Sequence, residues 1–255
     1  MEIVVISLPS ASARRERLAA NLASHGLSCH WIDAVDARGW QADEVSRHTD
    51  STSVMRNMSY YPNPGAIGCH LSHIKACEYL INSDEEAIII LEDDVLANEK
   101  LPKHMACLSD AMGCLDIIFL CDSRANRPSA LIGTSDKGLE FRFKRFSNIG
   151  SFGYVINRKA ARHILNNHAK FGLEIDMMLN RWWHSGLYIA TTNSDLVVHE
   201  DMGSSIGYDN KQRATNPVRR ITTTLVRSYY SLVKRRRYKA HHKAMKTAFE
   251  KARHS

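Results

Sequence analysis

The sequence predicts an α/β fold built around a parallel sheet, and three observations carry that expectation. The chain enters at once as an apolar strand, Met1-Glu2-Ile3-Val4-Val5-Ile6; a helical stretch and a second strand follow; and a later apolar run, Ala87-Ile88-Ile89-Ile90-Leu91, ends on the acidic triplet Glu92-Asp93-Asp94. A strand, helix and strand in succession form the repeating unit of parallel sheets. With 255 residues, 44% of them hydrophobic and 24% charged, the chain can bury a full core, and its composition excludes a disordered protein.

The elements follow in order. Residues 10–24 read as a helix with Leu18, Leu22, Ala19 and Ala23 spaced for one face and Gly26 as its stop, and residues 28–32 as the second strand. Residues 36–64 are polar and irregular, ending in Tyr60-Tyr61-Pro62-Asn63-Pro64-Gly65, which predicts a loop able to line a site. Residues 65–80 form a helix whose buried side takes Ile67, Leu71, Ile74 and Leu80, with Ala66, Ala76 and Cys77 allowing close packing. After the strand at 87–91 come a further strand at 116–120, a hairpin-like polar region at 122–148, and the run Gly150-Ser151-Phe152-Gly153-Tyr154-Val155-Ile156. Asn157 caps a helix over 158–166. Residues 174–183 are expected to be helical, and 187–191 and 196–199 to be short strands.

Charge divides the chain. Residues 211–255 hold 14 Lys and Arg against the single acid Glu250, a net of +13, which leaves 20 basic and 26 acidic residues, a net of −6, in the first 210. The expected organisation is a catalytic domain over 1–210 and a basic, amphipathic, helical tail over 211–255. Such a tail repels itself until it meets phosphate or anionic lipid. The six cysteines have no CxxC pair and no four-ligand spacing, so a zinc module is unsupported and reduced thiols in a cytoplasmic compartment are expected. The amino terminus lacks the basic start and long apolar core of a secretory signal, and no stretch reaches the length of a membrane span.

The acidic triplet points to the chemistry. Three carboxylates at the end of a buried strand repel one another and lose hydration unless a cation or a ring of donors compensates them. On an extended backbone Glu92 and Asp94 would share one side and grip an ion together. Oxygen ligands favour Mg²⁺ or Mn²⁺, whose common role is to hold the phosphates of a nucleotide-linked substrate. Asp176 is set among Met177, Met178, Leu179, Trp182 and Trp183. Either desolvation raises its pKa and suits it to accept a proton, or it is an acid near a helix start held by free backbone amides.

These segments together resemble glycosyltransferase family 25, which includes bacterial lipooligosaccharide galactosyltransferases and collagen galactosyltransferases. The most specific matches are Gly65-Ala66-Ile67-Gly68-Cys69-His70-Leu71-Ser72-His73 and, about twenty residues on, Ile89-Ile90-Leu91-Glu92-Asp93-Asp94-Val95. Around them stand Val5-Ile6-Ser7-Leu8 with Arg14-Arg15-Glu16-Arg17, Ile32-Asp33-Ala34-Val35-Asp36-Ala37, Gly153-Tyr154-Val155-Ile156-Asn157, Ile175-Asp176, and Val198-His199 with Ser204-Ser205-Ile206. The family pattern has Asn before the first Leu and an Asp-Arg pair soon after, where this chain has Ser7, Pro9 and Ser10, a departure that touches nucleotide contacts.

The resemblance implies a GT-A type fold, a Rossmann-like mixed sheet flanked by helices, and an inverting transfer of a hexose from a UDP-sugar, with UDP-galactose favoured and a β linkage formed. Glucose or an N-acetylhexosamine is the alternative donor sugar, and the implied acceptor is a terminal sugar of a lipooligosaccharide or LPS. Glu92 and Asp94 are the implied metal ligands, with His199 as a third or as a structural histidine. Asp93 is expected at sugar or ribose hydroxyls, and Ser7, Leu8 and Arg15 at the donor, with Arg14 and Arg17 adding charge near the diphosphate. His73 and, behind it, His70 are expected either to position the donor or to be hydrogen-bonded core histidines. Asp176 is the expected base, with Glu174 behind it, and Tyr154, Trp182 and Trp183 are expected either to stack on acceptor sugars or to belong to the core.

The tail read alone is an interfacial helix. Its apolar and aromatic residues Ile221, Leu225, Val226, Tyr229, Tyr230, Leu232 and Val233 lie amid arginines, before the basic run Lys234-Arg235-Arg236-Arg237. This predicts peripheral attachment to an anionic membrane, the cytoplasmic face of a bacterial inner membrane. A nucleic-acid module is the competing reading of the tail, but it has no recognisable zinc finger, RNP pair or KH loop and leaves the carboxylates unexplained. A metal-dependent phosphohydrolase would need a second carboxylate cluster or a nucleophile motif.

Overall fold

The computed structural model describes residues 1–58, 60–122, 126–145, 150–199 and 217–253. β1 (Glu2–Ser7), α1 (Ser12–Ser24) and β2 (His30–Asp33) open the chain, followed by the short helices α2 (Ala42–Arg47) and α3 (Ser51–Asn57). Then come α4 (Pro64–Asn82), β3 (Ala87–Glu92), β4 (Val95–Ala97), α5 (Lys100–Ala111), β5 (Ile117–Phe119), β6 (Ser129–Thr134), β7 (Glu140–Lys144) and β8 (Gly153–Asn157). α6 (Arg158–His168), α7 (Ile175–Leu179), α8 (Trp182–Ser185), β9 (Ile189–Thr192), β10 (Val197–His199) and the long α9 (Pro217–Ala252) complete it.

The main sheet has the order β2-β1-β3-β8-β5-β9-β7-β6. β2, β1 and β3 run parallel, β8 lies antiparallel between β3 and β5, and β7 and β6 extend the far side as an antiparallel hairpin. The sheet is therefore mixed, and helices flank it. Central strands covered on both faces are apolar throughout, and Ile88, Ile89, Ile90 and Leu91 are fully buried. Because β1 and β3 are parallel and in register, Ile6 opposite Glu92, the carboxyl ends of both strands open on one edge, where α/β sheets bind ligands.

Four features differ from the expectations. The region read as a loop over 36–64 contains α2 and α3; Asp50 caps α3 by accepting from Ser53 N, α2 has no side-chain cap, and at the end of the stretch Asn63 caps α4 by accepting from Ala66 N with Pro64 in its first turn. α5 forms where no element was assigned. The single helix expected over 174–183 is two short ones, α7 and α8. The acidic triplet is not extended throughout: Glu92 ends β3, and Asp93 and Asp94 form a turn into β4, so Glu92 and Asp94 do not share one side of a strand.

The tail forms a helix that docks on the rest of the chain. The 210/211 boundary and Ser204-Ser205-Ile206 lie outside the described residues, but α9 packs along α3, α8 and β6. Met245 and Phe249 are buried, and Tyr238 stacks on Phe143 with ring centroids 4.9 Å apart. Arg219 donates to Met58 O at 3.0 Å and Tyr60 O at 2.8 Å, and Arg237 to Trp183 O at 2.8 Å. Part of the basic charge therefore fixes the helix to the domain through backbone carbonyls.

Gly68 sets how closely α4 approaches the chain after β2. A Cβ there would lie 2.4 Å from Val35 O, a backbone atom that cannot swing aside. One turn on, Ser72 Oγ donates to Gly68 O at 2.6 Å and accepts from Val35 N at 2.8 Å. Gly68→Ala is expected to destabilise the protein by about 1–3 kcal/mol, read as a lower urea midpoint with an unchanged slope; an unchanged midpoint would show that the approach is not constrained.

Candidate active site

A cleft of about 320 Å³ lies over the carboxyl ends of β1 and β3. Ser7, Leu8, Arg14 and Asp93 line one part of it, the Ala34–Arg38 stretch and Ser72 the opposite wall, and Cys69, His73 and Glu92 its inner end. Ser7, Leu8, His73 and Asp93 thus line one cleft. Arg15 does not line it: its guanidinium donates to Ser7 O at 2.8 Å and Asp33 Oδ1 at 2.6 Å and lies 5.3 Å from the centroid of Trp31. Its place on α1 directs it to β2, and Arg14, one residue earlier, reaches the cleft from the same helix.

The three acids of the triplet have separate surroundings. Asp93 accepts from Ser7 Oγ at 2.6 Å and from Arg14 Nη1 at 3.2 Å, so both its oxygens are engaged within the cleft wall. Glu92 Oε1 accepts from Ser151 Oγ at 2.7 Å and faces His73 Nε2 at 3.3 Å. A carboxylate only accepts, so His73 donates from Nε2 and accepts at Nδ1 from the Tyr154 hydroxyl at 2.9 Å. Burial pushes the Glu92 carboxyl up, but hydrogen bonds from His73 and Ser151 and the nearby His199 outweigh it and hold the group below its ordinary value.

Asp94 is poorly compensated. Burial and then the Glu92 charge push its pKa up to about 6, and its Oδ1 is buried with no hydrogen-bond partner. The antiparallel pairing of β10 with β4 sets His199 opposite Val95, which brings its Nε2 to 3.4 Å from Asp94 Oδ2. An orphaned carboxylate oxygen beside an imidazole is the donor set a divalent cation would complete. One turn of α4 also presents Cys69 and His73 together, and the ligand atoms of Cys69, His73 and Glu92 lie within 4.8 Å of one another, a cluster consistent with a divalent-metal site. Burial, followed by the charges of Glu92, Asp176, Asp94 and Glu174, holds the Cys69 thiol well above its ordinary pKa. A thiol kept protonated is a weak ligand.

Asp176 Oδ2 accepts from Gly150 N at 3.1 Å and Oδ1 from its own neighbour Met177 N at 2.6 Å. Both donors are backbone amides, one of them in the first turn of α7. Glu174 is the residue before α7 and is half-buried.

Several expected residues are placed elsewhere. Tyr154, Trp182 and Trp183 are 0%, 3% and 6% exposed, Tyr154 packed beside His73 and the tryptophans beneath α9, where Trp183 borders a separate cavity. His70 accepts no site role either: it bonds His168 O at 2.8 Å, meets the edge of Phe171, and burial lowers its pKa to about 4. Ser151 and Cys69 were not singled out. Cys69 was signalled by its spacing, one helical turn before His73; Ser151 lay unremarked in the small-residue run before β8. Tyr154→Phe removes the donor to a buried His73 nitrogen and is expected to cost about 1–3 kcal/mol in chemical denaturation; an unchanged stability would show that the Tyr154–His73–Glu92 chain is not formed.

Comparison with known proteins gives consistent results. The family model described as glycosyltransferase family 25 (LPS biosynthesis protein) matches residues 1–179. Procollagen galactosyltransferase 1 of Danio rerio is 24% identical over 173 residues, covering 64% of this chain and 28% of its own length. The lacto-N-neotetraose biosynthesis glycosyltransferase LgtB of Neisseria gonorrhoeae is 25% identical over 228 residues, covering 81% of this chain and 80% of its own. The chain thus spans under a third of the first relative and most of the second. Among solved structures, the galactosyltransferase LgtC in complex with donor and acceptor sugar analogs aligns with 89% of this chain and 96% of its own at 16% identity, with a TM-score of 0.44, too loose a likeness to bear on residue roles.

Proposed function

The chain belongs to glycosyltransferase family 25, and from that premise we propose that it is a metal-dependent, inverting hexosyltransferase that moves galactose from UDP-galactose, in β linkage, onto a terminal sugar of a lipooligosaccharide or LPS acceptor. Glucose or an N-acetylhexosamine on the same nucleotide is the alternative donor. The observation that carries the reading is Asp94 paired with His199 and Glu92 with His73, beside a cleft lined by Ser7, Arg14, Glu92 and Asp93.

The residues have distinct roles in this reading. Arg14, Ser7 and Leu8 receive the nucleotide, with Arg15 bracing the backbone of Ser7. Asp94, His199 and Glu92 hold Mn²⁺ or Mg²⁺, which supplies positive charge against the diphosphate leaving group. His73, itself held by Tyr154, orients Glu92. Asp176 accepts the proton of the attacking acceptor hydroxyl as its oxygen bonds to the anomeric carbon and the bond to the diphosphate breaks, with Glu174 in support.

A membrane role for α9 rests on what its docking leaves uncovered. Ile221, Leu225, Tyr229 and Leu232 are 61%, 64%, 62% and 47% exposed. Their spacing of four, four and three puts them on one stripe of the helix, with the exposed Arg220, Arg227, Arg235 and Arg236 nearby. That combination suits an anionic bilayer surface on the cytoplasmic side, and no helix of the described residues is long and apolar enough to cross a membrane.

Asp94 is protonated below about pH 6, so an incoming cation must displace its proton there, and manganese affinity measured by calorimetry is expected to fall as pH is lowered through that value. Asp94→Asn is expected to reduce transfer on the order of 100-fold or more with no loss of folding; wild-type transfer by this variant would remove Asp94 from the site. Changing Ile221, Leu225, Tyr229 and Leu232 together to Ser is expected to abolish cosedimentation with anionic vesicles while transfer to a soluble acceptor persists. Undiminished cosedimentation would remove the stripe as the contact.

A further inference from the structure

A cavity of about 820 Å³, against about 320 Å³ for the cleft, lies between α2, α3 and α9. Val45, Val54, Met55, Tyr61, Pro62 and Val226 give it apolar walls. Met55 and Tyr61 are each 58% exposed, so large apolar side chains meet solvent around a hollow instead of closing it, an arrangement that marks a binding surface. α9 contributes Arg219, Thr222 and Val226, spaced three and four apart on one face. Leu225 stands three residues beyond Thr222, so the exposed stripe of Ile221, Leu225, Tyr229 and Leu232 borders the cavity.

The walls select an occupant by what they leave unsatisfied in others. A sugar or nucleotide brings hydroxyls that need directed partners, and a peptide brings backbone N–H and C=O groups with the same need. The hydroxyls of Thr49 and Thr222 in this lining donate to Val45 O at 2.6 Å and Arg219 O at 3.0 Å, within their own segments. An alkyl chain needs no such partner, and the volume lies within the range of about 300–1,000 Å³ that holds small molecules. Charge selects the head of that chain. Arg56 and Arg219 line the cavity, and among the described residues no carboxylate does. Asp43 and Glu44 of α2 are held by Arg47 at 3.0 Å and 2.8 Å, and Asp50, which the Arg56 charge also influences, caps α3. Arg219 is anchored on Met58 O and Tyr60 O, with its guanidinium 4.5 Å from the centroid of the Tyr61 ring. The wall therefore carries fixed positive charge beside an apolar hollow, the complement of an anionic lipid.

We propose that this cavity takes an acyl chain of an anionic membrane lipid, with the headgroup beside Arg56. Entry of the chain from a bilayer rests on the membrane reading of α9; the affinity of the cavity for a single lipid in solution does not. Such a lipid adds a saturable contact of fixed geometry to the general attraction of the exposed stripe.

The test is calorimetry on the full chain with dodecanoyl lysophosphatidylglycerol kept below its micelle concentration. One molecule per chain is expected to bind saturably; the decanoyl form binds about fifteenfold more weakly, at about fourfold per methylene, and glycerol 3-phosphate shows no binding. Ala42→Trp/Thr52→Trp places bulk at two exposed positions of the lining and is expected to abolish binding at unchanged Tm. Arg56→Gln is expected to weaken binding about fivefold and to leave that of dodecanoyl lysophosphatidylcholine unaffected. No saturable binding, equal binding of the two chain lengths, or full binding by a folded Ala42→Trp/Thr52→Trp variant would each overturn the cavity; if the protein still cosediments with anionic vesicles, the membrane reading of α9 survives without it. Lipid binding in a protein that fails to cosediment would support the cavity and count against that reading. A lipid-free dimer in light scattering that Ala42→Trp/Thr52→Trp converts to monomer would give the cavity to a second copy of the chain and overturn the lipid.

Discussion

The site depends on keeping the Glu92 carboxylate in place at the end of a buried strand. β3 carries it into a region with little water, where an unsupported anion would take up a proton. Two short-range donors prevent this: Ser151 Oγ at 2.7 Å and His73 Nε2 at 3.3 Å. Each comes from a different layer of the fold. His73 is delivered by α4 and fixed by Tyr154 of β8, and Ser151 by the segment entering β8, whose Phe152 O also accepts from Glu92 N at 2.9 Å. The antiparallel strand set between β3 and β5 therefore supports the catalytic edge of the parallel half.

With Glu92 compensated, Asp94 is left as the group in need of a partner. The turn at Asp93 and Asp94 separates their tasks. Asp93 turns toward Ser7 and Arg14 and holds the nucleotide-side wall together, while Asp94 turns toward His199 with one buried oxygen unused. Gly153 contributes to this division: a Cβ there would come within 2.7 Å of the Val197 side chain, so its absence lets β10, and with it His199, lie against β8. The GxxxxSH run on α4 is equally economical in its uses, as Gly68 and Ser72 hold the loop after β2 while Cys69 and His73 face Glu92.

How much of this was legible in the sequence follows from what each residue responds to. β1, β3 and α4 were legible because their burial imposes long apolar patterns, and the triplet because carboxylates after such a strand have few structural explanations. α2 and α3 were hidden in a polar stretch, where Asp50 caps α3 and α2 has no side-chain cap. The turn inside the triplet was not legible, since nothing in three acids states where a strand stops. Trp182 and Trp183 were ambiguous between sugar platform and core because aromatic residues serve both. Their burial is decided by α9, a segment distant in sequence whose mixture of arginines and apolar residues conceals which side docks.

The most direct measurement of the central claim is anomalous diffraction at the manganese edge from crystals soaked with manganese and UDP-galactose. The account predicts a peak at Asp94 and His199, beside Glu92, with the diphosphate in the cleft bordered by Ser7 and Arg14. A peak at Cys69 and His73 with Asp94 unligated, or a bound nucleotide with no peak at the triplet, would contradict it.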